Sequence, residues 1–148
     1  MIKGIIFDFN RTLYLPETEE ILENAIKLLQ KLKGAGLVLA LLTIEDMGKT
    51  NKINEISSFF SIIKKVSDKS ENDFVYILEN LDLGKEEVVV IGDRIKKEIK
   101  LSNRLGIKTV WYRSGKFKDE LPKNPEETPT YVISDLEEVW DLIKSLEK

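Results

Sequence analysis

The chain has 148 residues, 42% of them hydrophobic and 33% charged, with a formal net charge of −3. These values predict one globular domain, residues 1–148, with a substantial core. The acidic balance argues against a nucleic-acid partner, because phosphate-backbone binding usually needs a concentrated basic face. Cysteine and histidine are absent, which excludes disulfides, thiolate catalysis and cysteine-ligated zinc. Any metal must therefore take oxygen ligands, as Mg²⁺, Ca²⁺ and Mn²⁺ prefer.

The sequence also predicts where the protein resides. No stretch approaches the roughly 18 consecutive apolar residues of a membrane span. Residues 1–3 lead directly into a predicted strand and leave no room for a signal peptide. We therefore expect a cytoplasmic protein without a membrane partner. The sequence leaves open whether the chain forms an oligomer.

Apolar runs alternate with helical periodicities along the chain. In chain order, the predicted elements are a strand at 2–9, a helix from Pro16 to the glycines at 34 and 36, a strand at 37–43, a helix at 45–58, a strand at 61–66, a helix at 71–81, a strand at 87–91, a helix at 95–105, a strand at 108–112, an irregular stretch at 113–130, a short strand at 131–133 and a final helix capped by Asp135. Pro16 suits the first turn of a helix, and the glutamates after it suit the positive end of the helix dipole.

This alternation predicts an α/β fold: a three-layer, doubly wound parallel sheet of five to six strands with helices on both faces. Ligands bind such sheets beyond the carboxyl ends of the strands, where the strand order reverses. Asp8, Thr43 and Asp93 all fall at the carboxyl ends of predicted strands. We therefore expect these three side chains to gather at one edge of the sheet.

Two of these residues are carboxylates that directly follow apolar runs. Asp8 follows residues 5–7 (I-I-F), and Asp93 follows residues 88–92 (V-V-V-I-G). The strand end lifts each carboxylate out of the core, and the sheet behind it fixes its position. Two acids placed in this way indicate a divalent-metal site, and one of them is a candidate nucleophile.

These residues resemble, in order, the four motifs of the haloacid dehalogenase-like (HAD) superfamily. The first motif, D-x-D-x-T, reads D-F-N-R-T at residues 8–12, and the second, a Ser or Thr that ends the next strand, is matched by Thr43. The third, a lysine near a helix start, is best matched by Lys69, with Lys64 and Lys65 as competitors. The fourth, G-D-x-x-x-x-D, reads G-D-R-I-K-K-E at residues 92–98. The resemblance covers nearly the whole chain.

The resemblance implies a Mg²⁺-dependent hydrolase that acts on a phosphorylated substrate. Asp8 would attack the phosphoryl group and form an aspartyl-phosphate. Thr43 would donate a hydrogen bond to a phosphoryl oxygen, and Lys69 would offset the negative charge of Asp8 and the phosphate. Arg11 and Arg94 fall near the expected site, where a simple surface role is an equal alternative.

The implied metal site contains both departures from the family pattern. Mg²⁺ would lie between Asp8, the backbone carbonyl of Asn10 and Asp93, with Glu98 beside it. Asn10 replaces the second Asp of the family's phosphatases, a general acid and base whose loss typically lowers the rate by about 10²–10⁴-fold. Glu98 is one methylene longer than the usual Asp, and it can still orient a metal-bound water or Lys69.

The spacing between motifs predicts a small member without an inserted cap domain, since about thirty residues separate Asp8 from Thr43. An uncapped site suits a large substrate or a lid from another subunit. The proline-containing stretch at 114–130 is a candidate partial cover. Tyr14, Trp111 and Trp140 are interpreted as packing residues.

Other functions stay open at this point. Asn10 suits a catalytically impaired member that binds phosphate or a protein partner. It also suits a hydrolase with other chemistry, because the family's dehalogenases and phosphonatases lack the second Asp as well. A receiver domain is disfavoured because it carries its phosphoacceptor on a later strand. Hydride transfer is disfavoured because no G-x-G-x-x-G follows a strand.

Overall fold

The computed structural model describes residues 1–147, without the side chains of Met47 and Thr50. The predicted domain, 1–148, extends one residue beyond this range. The strands are β1 (Gly4–Phe7), β2 (Tyr14–Leu15), β3 (Glu20–Ile21), β4 (Val38–Ile44), β5 (Ile62–Val66), β6 (Val88–Gly92), β7 (Lys108–Tyr112) and β8 (Tyr131–Ile133). The α-helices are α1 (Glu23–Gly34), α2 (Thr50–Ile56), α3 (Glu71–Leu81), α4 (Lys100–Arg104) and α5 (Glu138–Ser145).

A six-stranded sheet in the order β5-β4-β1-β6-β7-β8 forms the centre of the fold, and all its strands are parallel. The predicted doubly wound α/β architecture is confirmed. The first strand, β1, pairs with β4 on one side and with β6 on the other, so the chain winds outward in both directions from it. This reversal of strand order creates a crevice at the carboxyl edge, directly after Phe7.

The core has two halves because side chains alternate across β1. Ile5 and Phe7 point to the face covered by α1, α2 and α5, whereas Ile6 points to the face covered by α3 and α4. These three side chains are 0–1% exposed. Helices on both faces explain why the parallel strands are continuous apolar runs. No helix within residues 1–147 has the length and apolar character needed to cross a membrane.

The predicted helix from Pro16 is wrong at its start. Residues 14–21 instead form a hairpin in which β2 pairs with β3, and α1 begins only at Glu23. A tight turn sets up this hairpin, because the amides of Leu13 and Tyr14 donate to the Phe9 carbonyl at 2.9 and 3.1 Å. Pairing between these two short strands thus overrides the helical pattern of the acidic residues after Pro16.

The other elements lie close to their predicted positions. The structure divides the predicted helix at 45–58 into a 3₁₀ turn (Met47–Lys49), α2 and a second 3₁₀ turn (Ser57–Phe59). The predicted helix at 95–105 begins with a π-helical turn, Ile95–Ile99, before α4. The irregular stretch at 113–130 contains two 3₁₀ turns, Gly115–Phe117 and Pro125–Glu127.

Gly4 provides a test of the packing around β1. A Cβ at this position would lie 2.8 Å from Leu83 Cδ1 and 3.2 Å from the Val38 carbonyl oxygen, which the sheet holds in place. We expect Gly4→Ala to lower the free energy of unfolding by about 1–3 kcal/mol and Tm by about 5 °C. In the control Gly34→Ala, the added methyl group meets no atom within 4 Å. Equal Tm values for Gly4→Ala and wild type in thermal unfolding would contradict this packing.

Candidate active site

Three buried carboxylates meet at the carboxyl edge of the sheet. Asp8 follows β1, Asp93 follows the neighbouring strand β6, and Glu98 reaches back from the π-helical turn. Each offers an oxygen, and these oxygens all lie within 4.8 Å of one another. The three residues are only 6%, 2% and 6% exposed, so water screens their mutual repulsion poorly.

The Lys69 ammonium lies inside this acidic cluster. Its Nζ donates to Asp8 Oδ1 at 2.6 Å and to Glu98 Oε1 at 2.8 Å. Burial alone would lower the pKa of Lys69, but the two carboxylates outweigh burial and raise it. Lys69 therefore stays charged, and it partly compensates the acids and fixes the orientation of Asp8.

Local interactions hold Lys69 at this position and distinguish it from the competing lysines. The backbone amide of Ser70 donates to Asp73 Oδ2 at 2.8 Å, which caps α3 directly after Lys69. Lys64 instead donates to Asp73 Oδ1 at 2.7 Å, and Lys65 is exposed. Of the three lysines, Lys69 is the one that contacts the acids.

Without a further cation, the three buried carboxylates repel one another. Burial, followed by the charges of Asp8 and Glu98, raises the pKa of Asp93 to about 9. Burial and the charge of Asp8 also raise the pKa of Glu98. If all three carboxylates were ionised beside one ammonium, two negative charges would remain uncompensated. Asp93 therefore carries a proton at neutral pH unless a cation compensates the charge.

Unpartnered oxygens in the cluster indicate which cation fits. Asp93 Oδ2, Glu98 Oε2 and Asn10 Oδ1 are buried, and none has a hydrogen-bond partner within the described part of the chain. Buried oxygens without partners are expensive unless a donor or a metal satisfies them. Since every candidate ligand is an oxygen, the residues fit Mg²⁺ or a similar hard cation.

Gly92 gives Glu98 the space to reach the cluster. A Cβ at position 92 would lie 2.8 Å from Glu98 Oε2 and 3.1 Å from Glu98 Cβ and Cγ. The π-helical turn, an irregularity common at functional sites, brings Glu98 over this glycine. A glycine is therefore needed at position 92, in the fourth motif, so that Glu98 can pack against it.

Trp111 supports the other end of Asp93. Its indole Nε1 donates to the backbone carbonyl of Asp93 at 2.9 Å, and its ring packs against Ile95 and Ile99. The sequence predicted packing alone for Trp111. The strand register of β7, which places Trp111 beside Gly92 at the sheet edge, is the signal that would have indicated its contact with Asp93.

All six predicted site residues border one cavity of about 420 Å³: Asp8, Asn10, Thr43, Lys69, Asp93 and Glu98. Thr43 is 2% exposed, and among the described residues its hydroxyl makes only a long 3.4 Å contact with the Ile44 carbonyl. This hydroxyl is therefore available to donate to a ligand. The structure also places Arg11 and Arg94 at the cavity rather than on a remote surface.

Seven other lining residues were not predicted as site residues: Ile44, Lys49, Ser67, Asp68, Lys97, Lys116 and Phe117. The last two belong to the proline-containing stretch, which thus reaches the site of Asp8. Six cations and four acids line the cavity, and Lys69 is the cation buried among the acids of the cluster.

Known proteins resemble this chain in both sequence and fold. The HAD-hydrolase-like family model matches residues 70–139. Glyceraldehyde 3-phosphate phosphatase from Methanocaldococcus jannaschii is 33% identical over 133 residues, which cover 84% of this chain and 57% of that protein. The enzyme of the same name from Pyrococcus furiosus is 28% identical over 130 residues, covering 82% and 53%.

The chain belongs to the haloacid dehalogenase-like superfamily. It spans about half the length of these curated relatives. A magnesium-bound HAD-hydrolase structure from Bacillus subtilis superimposes with a TM-score of 0.79 at 16% identity, over 96% of this chain and 98% of that chain. A D,D-heptose 1,7-bisphosphate phosphatase from B. bronchiseptica, complexed with magnesium and phosphate, gives 0.79 at 16% identity, over 97% and 99%. These structural matches establish the HAD fold of the chain.

Gly92→Ala tests the packing of the site. The added methyl group must displace Glu98, which also releases one partner of Lys69. We expect Mg²⁺ affinity, measured by titration calorimetry, to fall by about tenfold or more. Gly34→Ala serves as the control, because its methyl group enters open space. An unchanged Mg²⁺ affinity in a folded Gly92→Ala protein would contradict this packing.

The pKa of Asp93 predicts proton release on metal binding. With a pKa of about 9, Asp93 is protonated at pH 7.5, and a cation must displace that proton. We expect release of up to one proton per Mg²⁺, measured by calorimetry in buffers of different ionisation enthalpy. The apparent affinity should rise with pH up to about 9. Binding without proton release at pH 7.5 would contradict the raised pKa of Asp93.

The same pKa has a consequence for stability. The folded chain holds the proton up to about pH 9, whereas an unperturbed aspartate loses it near 3.8. The contribution of Asp93 to the stability of the metal-free protein therefore falls as pH rises between these values. We expect Asp93→Asn to raise the metal-free Tm by about 5 °C at pH 8 and to abolish the stabilisation by Mg²⁺. A lower metal-free Tm for Asp93→Asn would contradict this account.

Proposed function

We propose that this protein is a Mg²⁺-dependent phosphohydrolase that acts through an aspartyl-phosphate on Asp8, without an inserted cap domain. The arrangement of Lys69 between Asp8 and Glu98, beside Asp93, carries the proposal. A carboxylate suited to nucleophilic attack, a compensating ammonium and a cluster of oxygens suited to hold a metal border one cavity, and this arrangement supports the proposal. The two curated relatives are named glyceraldehyde 3-phosphate phosphatases, which adds support for a phosphatase that acts on a small phosphorylated compound.

The first half of the reaction forms the covalent intermediate. Lys69 holds Asp8 Oδ1, which leaves Oδ2 as the atom that attacks phosphorus in line with the ester oxygen. The new Oδ2–P bond forms as the ester P–O bond breaks, and the leaving alkoxide takes a proton from water. Thr43 and Lys69 donate to the phosphoryl oxygens, where charge accumulates in the transition state.

The second half returns the enzyme to its starting state. Water attacks the phosphorus, the bond to Asp8 breaks, and inorganic phosphate leaves. In this scheme Asp8, the backbone carbonyl of Asn10 and Asp93 would hold Mg²⁺, with Glu98 beside them. A bound Mg²⁺ would neutralise the repulsion between the anionic nucleophile and the anionic substrate.

Asn10 limits the rate in this proposal. The residue borders the cavity, but an amide neither protonates a leaving oxygen nor deprotonates water. Both proton transfers then depend on solvent. We infer slow hydrolysis, fastest for substrates whose leaving group needs no protonation.

The same residue supports a second candidate function. A superfamily member that lacks the acid–base group could bind phosphate or a protein partner without efficient turnover, or could act on a bond other than a phosphate ester. The buried Asn10 Oδ1, which has no partner among the described residues, favours a direct role in holding a ligand or metal. This candidate predicts Mg²⁺-dependent phosphate binding with negligible hydrolysis.

Hydrolysis of p-nitrophenyl phosphate with Mg²⁺ tests the primary proposal. We expect slow turnover that Asp8→Asn abolishes, because this leaving group is stable without a proton. Acid quench during turnover should trap phosphate on wild type but not on Asp8→Asn. The absence of both turnover and trapped phosphate would refute the proposed phosphohydrolase and favour the binding function.

Restoring the acid–base group tests the role of Asn10. We expect Asn10→Asp to raise kcat for alkyl phosphates by about 10²-fold or more, because the carboxyl group protonates the leaving oxygen. The gain should be much smaller for p-nitrophenyl phosphate. Asn51→Asp, at an exposed position of α2, adds the same charge and should leave kcat unchanged. No gain for Asn10→Asp would show that acid–base loss does not limit the native protein.

A further inference from the structure

The loop at residues 113–120, here called the rim loop, is anchored beside the acids. The Arg94 guanidinium lies 4.1 Å from the centroid of the Phe117 ring, and it pairs with Glu120 at 3.7 Å. Since Arg94 directly follows Asp93, these contacts fix the rim loop relative to the acidic cluster. Inside the loop, Arg113 Nε donates to the Lys118 carbonyl at 2.7 Å.

Five of the six cations that line the cavity have carboxylate partners. Lys69 binds Asp8 and Glu98, and the other four pairs are Arg11–Glu17, Lys49–Asp46, Arg94–Glu120 and Lys97–Asp68. Among residues 1–147, Lys116 is the one lining cation without a carboxylate within 4.0 Å. Its ammonium instead lies 5.4 Å from the centroid of the Phe117 ring.

Lys116 lies near enough to the β2–β3 hairpin for its charge to act on Glu17. The hydrogen bond from Arg11 is the main cause that lowers the pKa of Glu17, and the positive charge of Lys116 contributes to the same shift. Arg11, which precedes the hairpin, and Lys116 of the rim loop both line the cavity. A molecule bound at Asp8 therefore occupies the same cavity that Lys116 lines.

We infer that Lys116 forms a second anion-binding site at the mouth of the cavity and selects phosphorylated substrates that carry a second anionic group, such as a carboxylate. The inference rests on the proposed function, since the phosphoryl group must occupy the position beside Asp8 and Lys69. One end of the substrate then meets the acidic cluster and its cation. The other end meets the Lys116 ammonium, which has no carboxylate within 4.0 Å among the described residues.

This arrangement favours small, doubly anionic compounds over neutral-ended ones. A phosphate monoester that ends in an aldehyde or ketone offers Lys116 only a weak acceptor, whereas a carboxylate forms a charge-assisted hydrogen bond. The Phe117 ring, held by Arg94, forms an apolar wall beside Lys116 that suits a short carbon chain. Lys116 is therefore assigned as a specificity-determining residue.

Two non-hydrolysable phosphonates test this assignment by binding alone. The compounds 3-phosphonopropionate and 3-oxobutylphosphonate have the same skeleton and end in a carboxylate or a methyl ketone, respectively. With Mg²⁺ and wild-type protein, we expect the carboxylate to bind about tenfold more tightly in calorimetry. Lys116→Met should reduce this preference to about twofold or less, because it removes the charge and keeps the chain length.

Lys118→Met is the matched control. Lys118 is an exposed residue of the same rim loop that does not line the cavity, so its substitution removes the same charge from the same region. We expect the preference to survive in this variant. Equal affinities of the two phosphonates for wild type would overturn the inference, as would an equal loss of preference in both lysine variants.

A separate experiment tests the proposed function. Mg²⁺-dependent turnover of p-nitrophenyl phosphate does not require a second anion, so it reports on the phosphohydrolase alone. Turnover without phosphonate discrimination would reject Lys116 as a selectivity residue and leave the phosphohydrolase intact. Discrimination without turnover would support the Lys116 site and indicate that the protein binds such anions without hydrolysing them.

Discussion

The fold brings three buried carboxylates to one ammonium, and this charge imbalance governs the rest of the site. Parallel strands direct Asp8 and Asp93 to the same edge, where the strand order reverses around β1. Lys69 compensates one negative charge through its contacts with Asp8 and Glu98. Burial, together with the remaining negative charge, raises the pKa of Asp93 to about 9, and a hard divalent cation would relieve the imbalance.

The supporting structure keeps this unfavourable arrangement in place. Gly92 leaves space for Glu98, and Trp111 holds the Asp93 carbonyl. Both residues lie on neighbouring strands at the same level of the sheet. The stability of the core therefore offsets the electrostatic strain of the site, as is common where perturbed pKa values cluster at functional residues.

The elements that the sequence predicted well are those with strong local signals. The bounds of α3 and β8 match the prediction, and α3 begins at a capping box between Ser70 and Asp73. The helix predicted from Pro16 is wrong at its start because its helical signals compete with strand pairing inside the hairpin. The Leu22 amide donates to the Leu13 carbonyl at 2.9 Å, a bond that only the folded hairpin provides.

The site likewise combines residues that sequence patterns predicted with residues that tertiary contacts bring to the cavity. Asp8, Thr43 and Asp93 were predictable because strand ends share an edge, and Lys69 and Glu98 followed from the family motifs. The sequence indicated the stretch at 114–130 as a candidate cover but did not identify Lys116 and Phe117 within it, because the rim loop is held at the cavity by tertiary contacts such as that of Phe117 with Arg94, 23 residues earlier in the chain. Contacts of this kind depend on tertiary packing and leave no periodic pattern in the sequence.

The most direct test of the account is a crystal structure of the protein with Mg²⁺ and fluoroberyllate, a mimic of the phosphoryl group. The account predicts beryllium bonded to Asp8 Oδ2, with Thr43 and Lys69 donating to the fluorides. It also predicts one Mg²⁺ that Asp8 and Asp93 share through ligand bonds of about 2.1 Å. Fluoroberyllate bound elsewhere, or Mg²⁺ absent from these acids at saturating concentration, would contradict the account.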